Sequence, residues 1–513
     1  MTRLLLRGGR TLVDGRIVEA DVVVDGATLA HVGSPGSGSA DVVVELSGAL
    51  VLPAFVDGHV HATDTGLVLT GLDLSAARSR DDVLDAVAAR TRALRGRPVL
   101  GHGWDETAWP DRTLPTAAEL DRATYGSLVY LSRVDVHSAL VSGALLATAP
   151  AAARADGYDA DGWVRREAHH VVRAVALGSV TASQRAEAQR HMLRTAAARG
   201  IAHVHEMNGP GIGGEDDLRT LLEVAADPAL PDVVAYWGQT AADGGLDALR
   251  DLGAHGLGGD LFVDGALGSR TAHLRSPYAD ADTRGALYLD ADAVADHLVR
   301  CSVAGVQAGF HVIGDAAMDV VADGLVAAAA VAGRDRVRAL HHRLEHAEML
   351  DARHVSVLAD LEVVASVQPA FDAAWGGPSG MYVDRLGPER GVRLNPYADL
   401  AAAGVALVLG SDAPVTPLDP WGTVRAAVRH RTPGKGLPLA DAFRAHTAAA
   451  HRAVGEAPED GLRAGGPATF AVWRADPGDD GWPDLDSPPP TCVRTVLRGT
   501  ILHDSGDLEE VAA

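Results

Sequence analysis

Cysteine is nearly absent from this 513-residue chain: Cys301 and Cys492 are the only two. That number excludes a disulfide framework and a cysteine-based zinc site, and both read as buried thiols of a reducing compartment. Lysine is scarcer still. Lys435 stands alone among 45 basic residues, which removes lysine chemistry from every position but one. No run approaches the ~20 apolar residues that a membrane helix needs. The apolar stretch near residues 4–6 is too short for a signal peptide, so the expected location is the cytoplasm. Basic charge is also lacking: 68 acidic residues against 45 basic ones leave a net charge of −23. There is no basic footprint for nucleic acid or an anionic membrane. A small-molecule substrate is the expected partner, and a homodimer is the expected state from the frequency of symmetric pairing among soluble enzymes.

What is present is alternation. Residues 3–33 read as short strands around Asp14-Gly15 and Asp25-Gly26, a strong hairpin signal, and residues 41–46 continue the pattern. At the other end, 470–473 and 492–502 read as strands around a proline-rich loop. Between the ends, apolar runs alternate with Ala-rich helical segments, as in βα units with a parallel sheet. The expected strands are 51–56, 98–102, 201–205, 260–264, 305–311, 340–346, 362–367 and 405–410. The expected helices include 81–95, 184–199, 291–304, 316–332 and 440–453. A further run at 127–134 falls in a long stretch from about 66 to 183, read as an insertion. The fold class is therefore α/β, a (β/α)8 TIM barrel over residues 51–459. A small composite β-sandwich is formed by both chain ends, 1–50 and 460–513.

Chemistry concentrates at the ends of the expected barrel strands, where active sites of such barrels are built. Leu52-Pro-Ala-Phe-Val-Asp-Gly-His-Val-His61 ends an apolar strand in two histidines two residues apart, which share a side because strand side chains alternate. Gly305-Val-Gln-Ala-Gly-Phe-His311 and Arg343-Leu-Glu-His346 each end in one histidine, and Val405-Ala-Leu-Val-Leu-Gly-Ser-Asp412 ends in a carboxylate. Asp315 is placed to cap the helix after His311. Taken singly, a strand-end histidine is usually structural, and a strand-end aspartate more often caps the next helix. Four histidines and an aspartate at the ends of four strands are far harder to explain that way. Imidazole and carboxylate ligands favour zinc, iron or manganese. The expected reaction is attack by a metal-activated water, with Asp412 as general base and acid.

At these residues the sequence resembles the amidohydrolase superfamily, and within it the branch that includes N-substituted formamide deformylases. The likeness extends through Val263-Asp-Gly-Ala-Leu-Gly-Ser-Arg-Thr271, His311-Val-Ile-Gly-Asp315, Ala365-Ser-Val-Gln-Pro369, Gly410-Ser-Asp-Ala-Pro414 and Gly461-Leu-Arg-Ala-Gly-Gly-Pro-Ala-Thr469. The resemblance implies a metal on His59 and His61, His311 and His346 on a second or shared metal, and Asp412 as ligand and proton shuttle. It also implies a lysine, carboxylated to bridge two metals, at the position that Asp260 occupies here. Asp260 reads equally as a direct ligand and as a hydrogen-bond partner of a ligating histidine. For Glu206, at the end of another strand, capping or such a hydrogen bond is the preferred reading. One tightly held ion, expected to be zinc, is favoured over two, because close divalent ions with too little bridging anion repel.

His137 matches a family histidine in the insertion, and Trp104, Arg270 and Trp375 are candidates to line the mouth. Aromatic residues make up only 4% of the chain, so tryptophans in loops stand out, although most tryptophans are packing residues. Hydrolysis of an amide-type C–N bond leads the readings. A lyase or isomerase on the same barrel and a non-catalytic ligand-binding barrel are the alternatives, since fold does not fix reaction.

Overall fold

The computed structural model describes residues 3–36, 38–94, 96–134, 138–456 and 460–512. Eight parallel strands form the barrel: β1 (Phe55–Val60), β2 (Ile201–Asn208), β3 (Asp232–Trp237), β4 (Gly256–Leu257), β5 (Gln307–Val312), β6 (Arg343–His346), β7 (Val364–Val367) and β8 (Ala406–Leu409). They pair in sequence order from β1 to β8, with helices such as Ala291–Ala304 and Asp315–Ala332 between them. β1, β2, β5, β6 and β7 are buried along their whole length, as expected of parallel strands covered on both faces.

Closure between β8 and β1 depends on two glycines. A Cβ on Gly58 would lie 2.4 Å from Val408 Cγ1, and one on Gly410 would lie 2.5 Å from the His59 nitrogen. With no side chain at either position, the strands come close enough for Asp412 N–H to donate to the His59 carbonyl at 2.8 Å. His61 N–H likewise donates to the Ala413 carbonyl at 2.9 Å. The seam thus delivers Asp412 to the two histidines.

Two expected barrel strands are reassigned. Residues 98–102 belong to Val99–Trp104, which lies in a separate five-stranded sheet with Leu72–Asp73, Val129–Arg133, Ser138–Val141 and Trp163–Arg165. That sheet belongs to a compact unit, Ala62–Met192, whose core includes Leu74, Val83, Trp104, Leu120 and Leu131. The barrel place goes instead to β3, an apolar run outside the expected strands. The run at 260–264 is also displaced. β4 ends at Leu257, and Phe262 makes only an isolated bridge to His311. The expected helix 440–453 is two helices, Leu439–Ala445 and Ala448–Ala453. Gly314, not Asp315, occupies the cap position of helix Asp315–Ala332.

Strands from both chain ends share one nine-stranded sheet, in which Leu50–Pro53 runs between Arg3–Val13 and Phe470–Arg474. The Asp14-Gly15 and Asp25-Gly26 turns join antiparallel neighbours. The stretch read as one strand at 492–502 is a hairpin, Thr491–Leu497 and Thr500–Asp504, turning at Arg498 and Gly499 with φ of 46° and 80°. Leu6, Val22, Val44, Phe470, Val472 and Val496 meet in one core. Strands 450 residues apart in sequence therefore share the burial that stabilises them.

Candidate metal centre

His59, His61, Asp260, His311, His346 and Asp412 converge at the C-terminal mouth of the barrel. Asp260 is at the centre of the group. Its Oδ2 lies 3.2 Å from His61 Nε2, and its Oδ1 lies 3.7 Å from His59 Nε2, 3.4 Å from His311 Nδ1 and 3.7 Å from His346 Nε2. Asp412 Oδ1 adds contacts of 3.4 Å to His59 Nε2 and 3.2 Å to His61 Nε2. Two of the six are held in the left-handed backbone region, His346 at φ 70° and Asp412 at φ 53°. Such conformations are uncommon for residues other than glycine and gather at functional sites.

Four of the inward-facing atoms make no hydrogen bond. His59 Nε2, His311 Nδ1, Asp260 Oδ1 and Asp412 Oδ1 are buried and make no hydrogen bond. Each such atom left unanswered costs on the order of 1–3 kcal/mol, so four at one point mark a place for a ligand. A tetrahedral ion with bonds of about 2.0–2.1 Å separates adjacent ligand atoms by about 3.4 Å, and the spacings above bracket that value. Among the described residues, two triads have ligand atoms within 4.8 Å of one another: His59, Asp260 and His346, and His59, His61 and Asp412. The donor set therefore fits a divalent ion.

The outward nitrogens of the four histidines are all engaged. His59 Nδ1 donates to Glu345 Oε2 at 2.9 Å, His61 Nδ1 to the Met207 carbonyl at 3.0 Å, and His346 Nδ1 to Gln368 Oε1 at 2.7 Å. His311 Nε2 lies 3.4 Å from the Gly265 carbonyl. Electrostatics follow the same geometry. Burial pushes the Asp260 and Asp412 carboxyls up, but the surrounding histidines outweigh it and hold both below the usual carboxylate range. Burial pushes the His346 imidazole down, and Asp260 and Asp412 outweigh it and raise the ring to about 9.

Comparison with known proteins follows the same line. The family model described as the amidohydrolase family matches residues 42–503. The chain belongs to the amidohydrolase family. Relatives include the putative amidohydrolase YtcJ of Bacillus subtilis, 29% identical over 423 residues that cover 76% of this chain and 75% of that one. Another is the N-substituted formamide deformylase of Arthrobacter pascens, 24% identical over 535 residues and 94% of each chain. Among solved structures, an uncharacterized metal-dependent hydrolase from Pyrococcus horikoshii aligns with a TM-score of 0.75 and 25% identity, covering 94% of this chain and 100% of that one. With its histidine–carboxylate set, this family member is a metal-dependent hydrolase.

The other candidate residues are dispersed. Trp375 is half-buried and packs on Phe371 at 4.8 Å between ring centroids, and Phe371 stacks on the His346 ring at 5.9 Å. Arg270 is bound by Asp280 through two hydrogen bonds of 3.0 and 2.7 Å. Trp104 is fully buried in the core of the Ala62–Met192 unit, its indole N–H donating to the Leu131 carbonyl at 2.8 Å. His137 lies outside the described residues. Glu206 is buried, with Asn208 Nδ2 3.5 Å from its carboxylate. Lys435 is paired with Asp399.

Three supporting residues were not singled out from sequence. Asp264 accepts from the backbone N–H groups of His273, Ile313 and Gly314 at 2.8–2.9 Å and ties the loop after Asp260 to the end of β5. Gln368 and Glu345 hold two of the histidine rings. Each sits inside a motif that the sequence displays, but its partners lie elsewhere in the chain.

Proposed function

We propose that this hydrolase cleaves an amide-type C–N bond of a small molecule, with N-substituted formamides the first class to examine. The observation that carries the reading is Asp412: a buried carboxylate, held as the anion, with Oδ1 unpartnered beside His59 and His61. The deformylase relative spans nearly the whole chain and supports the bond class. When bound, a divalent ion supplies Lewis acidity towards a carbonyl and lowers the pKa of water. Asp412 takes the proton of the attacking water at its free oxygen and delivers it to the leaving nitrogen. His59, His61, His311, His346, Asp260 and Asp412 are the candidate ligands, of which one ion would take a subset. The Phe371–Trp375 pair forms an apolar wall beside His346 for the substituent on nitrogen.

One tightly held ion, zinc by ligand type, is the proposed state. Both triads need His59 Nε2, and one imidazole lone pair serves one ion. Asp260 takes the place that a carboxylated lysine holds in related sequences, and Lys435 is engaged by Asp399.

The test is turnover by zinc-loaded protein of a panel containing N-substituted formamides, longer N-acyl amines, imides and esters. Release of the amine together with the free acid is the expected result. Turnover confined to esters, or elimination without uptake of water, overturns the reading.

A further inference from the structure

We infer that Glu345, held by Arg343, is a positioning residue that makes His59 the anchoring ligand of the metal centre. The inference rests on the metal-site reading above. Its starting point is an inequality among the four histidines. Three of them direct their outward nitrogen at a neutral acceptor: Met207 carbonyl, Gly265 carbonyl or the Gln368 amide oxygen. His59 alone directs Nδ1 at a carboxylate, Glu345 Oε2 at 2.9 Å, and both side chains are fully buried.

That carboxylate is held from behind. Arg343 Nε donates to Glu345 Oε1 at 2.6 Å and Nη2 reaches Oε2 at 3.2 Å. The rest of the guanidinium donates to Ser366 Oγ at 2.8 Å, His205 Nδ1 at 2.9 Å and the Gly58 carbonyl, and it lies over the Tyr236 ring at 4.9 Å. Gly58 immediately precedes His59, so one guanidinium fixes both the backbone that carries the imidazole and the acid that orients it.

A carboxylate only accepts hydrogen bonds. Glu345 therefore sets the His59 tautomer with hydrogen on Nδ1 and the lone pair on Nε2, the atom shared by both triads. A carboxylate on the outward nitrogen also raises the basicity of the ligating one. Arg343 balances the added charge, so the network supplies a stronger donor at His59 without a bare acid in the barrel interior. His59 is the ligand best prepared to hold an ion, and the others complete the site around it.

The experiment measures the zinc dissociation constant of the full chain by chelator competition, after stripping and reloading. Glu345→Gln keeps an acceptor for Nδ1–H and removes the charge. Its expected effect is a 10–100-fold weaker affinity, about the range for lost partners of ligating histidines. Arg343→Met with Glu345→Gln removes both charges and covers the case in which an unpaired Arg343 prevents folding; at least a 10-fold loss is expected there too. Ser366→Ala trims the same network without touching the carboxylate and is expected to stay within about twofold of wild type. The visible bands of the cobalt(II)-loaded protein report the ligand field, which a packing role would leave alone. They are expected to shift in the Glu345 variants and not in Ser366→Ala. Glu345 variants that hold zinc within twofold of a tight-binding wild type, with unchanged cobalt bands, overturn the inference alone. A wild type that holds no zinc overturns the metal reading and the inference with it.

Discussion

Histidines meet carboxylates at both ends of the barrel strands, and the two meetings are built differently. At the N-terminal end, His203 on β2 lies 3.2 Å from Asp232 on β3, and Arg498 binds Asp232 through Nη1 and Nη2. His451 packs edge-on against His203 at 4.5 Å and pairs with Glu456 at 2.6 Å. Of these side-chain atoms, only His203 Nδ1 is both buried and without a hydrogen bond. At the C-terminal mouth the same residue types leave four inward atoms unanswered, and no arginine reaches Asp260 or Asp412 among the contacts described. Residue type therefore does not mark the metal centre. Saturation does: a cluster closed by its own arginine is cement, and one with its polar atoms left open is a receptor.

The comparison breaks most visibly at Asp412. Asp412→Asn keeps the shape and a ligating oxygen but cannot accept a proton near neutral pH. The expected loss in kcat is about 10²- to 10⁴-fold, the usual contribution of general acid–base catalysis. Melting temperature and bound zinc should stay close to wild type. Turnover at the wild-type rate would remove Asp412 from the proton path.

Asp260→Ala comes next. It deletes the only carboxylate among the described residues in contact with all four histidines, so zinc affinity should fall by more than the ~10–100-fold of an outer partner, and activity with it. Lys435→Arg is the matched control. Lost zinc binding in Lys435→Arg, or intact binding in Asp260→Ala, would restore the lysine to the argument.

The Asp260 case also shows where sequence stops informing. His59, His61, His311, His346 and Asp412 are legible because each closes an apolar run, and the end of a run is a local signal. Asp260 opens one. Reading 260–264 as the fourth strand puts Asp260 at its beginning, the wrong end for a ligand. β4 in fact ends at Leu257, so Asp260 lies beyond the strand and at the mouth. Where a two-residue strand stops is set by pairing with β3 and β5, not by its own pattern. The exchange of 98–102 for β3 has the same cause, since an apolar run does not say which sheet it joins. Glu345 was visible beside His346, but its partner is 286 residues away.

At the closed end, Asp232→Asn should affect stability and leave catalysis alone. The variant loses charge from a bidentate pair that is partly exposed, 35% for Asp232 and 53% for Arg498. The expected loss is about 1 kcal/mol, between the values for exposed pairs and for hydrogen bonds to buried charges. Denaturant titration measures it, and kcat should not move. A drop in kcat with stability unchanged would mean that the two ends are coupled.

The smallest effect is how that stability difference depends on pH. Burial pushes the Asp232 carboxyl up, but His203 and Arg498 outweigh it and hold its folded pKa below the usual aspartate value. A carboxyl depressed on folding contributes stability that is present above its unfolded pKa, about 3.9, and is lost as pH falls through the folded one. Above about pH 5 the titration of the Asp232 carboxyl itself should therefore add nothing to the change with pH of the gap between wild type and Asp232→Asn. Below about pH 4 the wild-type carboxyl begins to take up its proton in the unfolded state, the charge advantage fades, and the two stability curves should converge. At the mouth protons and metal compete for the same atoms, so metal binding there depends on pH as well, but that dependence is common to both proteins and cancels in the difference. Denaturant midpoints of the two proteins, measured in zinc from pH 3 to 7, test the sign directly: a gap that widened towards low pH would mean that Asp232 is protonated in the folded state and that the arginine-closed cluster is not closed.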